Sequence, residues 1–86
     1  MSVVPISLTQ ARNMVIQSMR DRQLRMSKAG QQIKTFWGNW NNTPIYLSIG
    51  EAISEVENST ELGQFILIVE LKGIAQQTGV TYELTG

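Results

Sequence analysis

Apolar residues recur at steps of three and four from Leu8 onward: Leu8, Ala11, Val15, Met19, Met26, Ala29, Ile33, Phe36, Trp37 and Trp40, with the small Ser18 among them. At 100° per residue they fall within an arc of roughly 100°, the stripe of an amphipathic helix. Ser7-Leu8-Thr9-Gln10 has the form of a capping box, in which a serine oxygen takes a free amide and a glutamine reaches back, so the helix is predicted to start near Leu8. No proline interrupts before Pro44, and Gly38 with Asn39, Asn41 and Asn42 supplies a stop. Taken as one helix, residues 8–37 would extend ~45 Å at 1.5 Å per residue. A globule of this chain length is only roughly 30 Å across. The helix therefore either breaks near Ser27-Lys28-Ala29-Gly30 or projects and finds a partner for its stripe.

Beyond the asparagines, Thr43-Pro44 opens an extended segment, Ile45 to Ile49. Ser48-Ile49-Gly50-Glu51 is a second capping box, and Ala52, Ile53 and Val56 continue it as a short helix ending near Asn58-Ser59. Phe65 to Val69 lies in a stretch, Thr60 to Thr78, that suits helix by length and strand by its β-branched and aromatic content. As helix it is apolar nearly all round, and Gly79 ends it ahead of a short extended tail, Val80 to Leu84. The expected fold is mainly α, a long N-terminal amphipathic helix packed on a shorter C-terminal helical pair. The alternative is α+β, with a C-terminal hairpin of residues 65–71 and 80–84.

At 86 residues, 42% apolar and 16% charged, the chain is expected to form a single domain, 1–86, with a thin core. Cysteine and histidine are both absent, which excludes disulfides, Ser-His and Cys-His catalysis, ordinary zinc sites and a histidine pH switch. No signal-peptide pattern stands in Met1 to Ile6, and the longest apolar run is five residues, so a cytoplasmic protein that does not enter a membrane is expected.

Net charge is zero, but the distribution is lopsided. Arg12, Arg20, Arg22, Arg25, Lys28 and Lys34 against Asp21 alone leave residues 1–42 at +5. Residues 43–86 hold Lys72 against Glu51, Glu55, Glu57, Glu61, Glu70 and Glu83, leaving −5. The basic helical half and the acidic half either attract one another, within one molecule or between copies, or the basic half meets a polyanion.

Glu51 and Glu55 share one helical face, and as a spaced pair they read as a solvated face; no metal or other cofactor is expected, and no serine has a base to activate it. Isolated glycines form no phosphate-binding loop. Arg12, Arg20, Arg25, Lys28 and Lys34 are candidate nucleic-acid contacts, with Trp37 and Trp40 available for stacking. Those cations, however, spread over all the non-apolar sides of the helix. Arg22 stands in the middle of the apolar stripe, where an unpaired guanidinium is costly, so it pairs with a glutamate of the acidic half, snorkels at an assembly interface, or holds an anion. Met14, Met19 and Met26 add adaptable thioethers on or beside the stripe.

Gly73-Ile74-Ala75-Gln76-Gln77-Thr78-Gly79-Val80-Thr81 resembles the first helix and turn of a helix-turn-helix DNA-binding motif. The resemblance implies a recognition helix after the turn, whereas Tyr82 to Gly86 is all that follows, so the run is taken as a helix stop. The functional expectation is a non-catalytic protein-interaction or assembly module. It would act as a homo-oligomer or as a subunit of a larger complex, with Met19, Arg22, Met26, Ile33, Phe36, Trp37 and Trp40 at its interface. A small nucleic-acid-binding regulator is the alternative.

Overall fold

The computed structural model describes residues 2–85, which run β1 (Ser2–Ser7), α1 (Leu8–Arg25), α2 (Lys28–Gln32), β2 (Thr35–Trp40), β3 (Thr43–Leu47), α3 (Ile49–Glu57), α4 (Glu61–Thr78) and β4 (Val80–Thr85). Helix accounts for 60% and strand for 27%, so the class is α+β, not mainly α. Among the described residues the strands form two small sheets, β1 with β4 in parallel and β2 with β3 antiparallel.

The expected long N-terminal helix does not form. Its start is as predicted, with the Ser7 hydroxyl accepting from the Gln10 amide and the Gln10 side chain accepting from the Ser7 amide. It ends after Arg25, because Met26 is extended (φ −89°, ψ 148°) and Ser27 starts a new helix by taking the Gly30 amide at 3.0 Å. A serine at that point offers the backbone a cap instead of another helical turn. Past α2 the residues Thr35, Phe36 and Trp37 favour strand, and Asn41 and Asn42 both take positive φ (52° and 62°). Two left-handed residues between paired Trp40 and Thr43 make the two-residue hairpin turn whose twist matches the strands. The asparagines that read as a helix stop are thus a hairpin turn, and the last third of the stripe is strand.

Ser48 closes the second capping box with Glu51, and α3 ends at Asn58. Residues 65–71 are helical and lie inside α4, which ends on Gly79 at φ 76°. The alternative hairpin therefore fails: β4 pairs with β1 instead, Val4 opposite Tyr82 and Ile6 opposite Leu84. The helix-turn-helix resemblance ends at the same place, since a strand follows the turn.

The core is built from Ile6, from Ala11, Val15 and Met19 of α1, from Ile49, Ala52, Ile53 and Val56 of α3, and from Ile66, Leu67 and Leu71 of α4. Steps of three and four within each helix put these residues on facing sides. α3 and α4 come together at Gly63, where a β-carbon would stand 2.0 Å from the Glu55 carbonyl oxygen. The hairpin lies over α4 through Gly38, at φ 127°, where a β-carbon would sit 3.0 Å from the Phe65 ring. The molecule measures 37 × 30 × 22 Å, too short for a 30-residue helix. Its accessible surface of 5644 Å² exceeds the ~5,100 Å² expected of a folded monomer of this mass. Among the described residues no helix is long and apolar enough to cross a membrane.

Candidate interaction surface

Three of the six cations nominated from the sequence have a local partner. Arg20 donates to Glu57 at 2.5 Å, Lys34 to Glu51 at 2.9 Å, and Arg22 to Glu70. Each pair joins the basic half to the acidic half, so part of the lopsided charge is satisfied inside one molecule. The Arg22 guanidinium, on the stripe, meets the half-buried Glu70 of α4, which is the first of the three roles open to it. Of the candidate nucleic-acid contacts, Arg12, Arg25 and Lys28 make no ion pair among the described residues, and Arg20 and Lys34 do.

The glutamates are committed to structure as well. Glu51 accepts from the Ser48 amide and from Lys34, and those bonds, the backbone one first, lower its pKa from 4.5 to about 2. Glu55 accepts from the Thr60 hydroxyl at 2.7 Å, across the α3–α4 turn. Among the described residues no group of three or more carboxylates gathers to hold a metal.

The nominated interface residues separate into two sets. Met19 is fully buried in the core, and Met26 is half-buried against it. Trp37 is half-buried against the core too, and its indole Nε1 donates to the Leu47 carbonyl at 3.1 Å, a bond between the two strands of the hairpin. Trp40 is half-buried beside Phe65 and Ile68. These side chains are wholly or partly used in the fold. Ile33 and Phe36, by contrast, are 59% and 54% exposed.

A bulge at Trp37 sorts the hairpin's faces. Between the Phe36–Tyr46 and Gly38–Ile45 pairs, β2 carries one extra residue, so Gly38 and Ile45 turn toward α4 while Phe36 and Tyr46 turn to solvent. Their rings lie 5.4 Å apart, tilted by 51°, and Tyr46 is 56% exposed. Sequence reasoning missed Tyr46. The signal was Tyr46 standing one residue after Ile45 in an alternating strand, legible only once Asn41-Asn42 is read as a turn.

Compared with known protein families, with characterised proteins and with solved structures, the chain matches none of them.

Proposed function

We propose that the chain is a non-catalytic protein-interaction module and that the solvent face of the β2–β3 hairpin is its docking face. One observation carries this reading: Phe36 and Tyr46 lie ring beside tilted ring on the hairpin's outer face, each residue more than half exposed. Paired aromatic rings bury large apolar areas when covered, and such residues dominate binding energy at interfaces. Ile33 stands at the entry to the same strand. The partner implied is a protein with an apolar surface patch. The α1 stripe, nominated for this role by its spacing, is instead used in the core.

The test compares the immobilised chain with the Phe36→Ser/Tyr46→Ser double variant, each shown folded by circular dichroism. Both are exposed to soluble protein from the source cells, and retained partners are then titrated singly. The expected result is a partner bound by the parent chain and weakened about thirtyfold or more in the double variant. A Glu57→Gln control should bind it unchanged. Equal retention by both chains overturns the docking face. Retention of nucleic acid, with an affinity falling steeply with salt, would support the regulator reading in its place.

A further inference from the structure

We infer that the free edge of β4 pairs with β4 of a second copy, antiparallel about a two-fold axis at Tyr82, so that two β1–β4 ribbons become one four-stranded sheet. The first ground is that a two-stranded parallel sheet is an unusual end state. Parallel strands are normally covered on both faces and belong to larger sheets, and a two-stranded ribbon gains little by itself. Here, among the described residues, β1 and β4 have no strand neighbour but each other.

The two ribbon edges are not alike. Pro5 stands in β1, and Pro44, the chain's other proline, in β3; a proline lacks the N–H that a new neighbour needs and protects an edge from pairing. β4, Val80–Thr85, has no proline. Its edge also lies open. A groove beside it is lined by four consecutive residues, Thr81 to Leu84, together with Ile68 and Ala75 of α4. Successive side chains of a strand point to opposite faces, so consecutive residues share a groove only along the strand's edge. Ile68 (45% exposed) and Leu84 (38%) leave that groove apolar.

The occupant follows from the register. Tyr82 packs on the core, so Val80, Tyr82 and Leu84 face the helices, and Thr81 and Glu83 face the opposite side. Antiparallel pairing centred on Tyr82 sets Val80 against the second copy's Leu84 and Thr81 against its Glu83. Apolar residues then meet only apolar ones on the helix side, and no like charges are opposed. The groove holds one cation, Lys72, and one anion, Glu83, and the chain's net charge is zero, so copies do not repel at a distance. Nothing in this dimer involves Phe36 or Tyr46, so it and the docking proposal fail separately.

Sedimentation equilibrium of the whole chain, from micromolar to millimolar at low salt, is the test. The expected species at high concentration has twice the 9.6 kDa chain mass. Thr81→Lys, facing the second copy's Glu83 twice, should tighten the dimer about fivefold, and Thr81→Glu should weaken it by a similar factor. Both effects should shrink at 1 M salt. In hydrogen exchange of the unmodified chain, β4 amides should gain protection as concentration rises. A monomer throughout, Thr81 variants that shift affinity in the same direction, or β4 exchange independent of concentration overturns the proposal. So does loss of the dimer in the Phe36→Ser/Tyr46→Ser variant, which would place the contact on the hairpin.

Discussion

Replacing Gly63 by alanine puts a methyl group where the α3 backbone already is. The added β-carbon would stand 2.0 Å from the Glu55 carbonyl oxygen, 2.6 Å from its carbon and 3.0 Å from the Val56 nitrogen. Ordinary contact begins near 3.4 Å, so relief requires the end of α3 to retreat by about 1.4 Å, and main chain has no rotamer through which to yield. Overpacking of this kind costs about 1–3 kcal/mol, and here the high end applies because the obstacle is backbone. Alanine returns less than ~1 kcal/mol of helix propensity, so the net loss should be about 2 kcal/mol. For a domain of this size that lowers the melting temperature by roughly 8–16 °C. Gly73→Ala is the internal control, since nothing lies within 4 Å of its added β-carbon in the same helix. It should stabilise by about 0.5–1 kcal/mol. Thermal unfolding followed at 222 nm, with urea titration as a second probe, measures both. A Gly63→Ala chain as stable as the parent would refute the close approach of α3 and α4.

Three further sets of substitutions probe other features. Arg22→Met strands the Glu70 carboxylate, whose side chain is 13% exposed; because Arg22 itself is 42% exposed, the loss should be only about 1–2 kcal/mol, and Glu70→Gln in the same chain should restore part of it in a urea double-mutant cycle. Asn42→Gly should stabilise by about 0.5 kcal/mol and Asn42→Val should destabilise by about 1 kcal/mol or more, because φ is +62° there; equal melting temperatures would contradict the hairpin turn. The Glu51 carboxyl is held at about 2 against its usual 4.5. A folded-state value below the unfolded one means that its contribution is fully present above pH 4.5 and is lost as pH falls toward 2. Glu51→Gln should therefore flatten the acid limb of stability between those values and leave its slope near neutrality unchanged, measured by urea midpoints across pH.

Local chemistry explains what the sequence by itself determined. Ser7 with Gln10 and Ser48 with Glu51 cap their helices through bonds spanning three residues, and Gly79 ends α4 by its own freedom at positive φ. The expectation that a glutamate meets Arg22 was also legible, since an unpaired guanidinium on an apolar stripe is unfavourable whatever covers it. What the sequence left open was decided by contacts between distant residues. A step of three or four from Ile33 to Trp40 is compatible with helix, but strand residues there bury Trp37 and close Gly38 onto Phe65, and no local rule weighs that packing against another helical turn. Likewise β4 is an extended tail in the sequence and a strand only because β1, at the opposite end of the chain, lies beside it. Which of the stripe's apolar residues reach solvent was settled in the same way: Met19 is fully buried in the core, and Phe36, beyond the Ser27 cap, is turned outward by the bulge at Trp37.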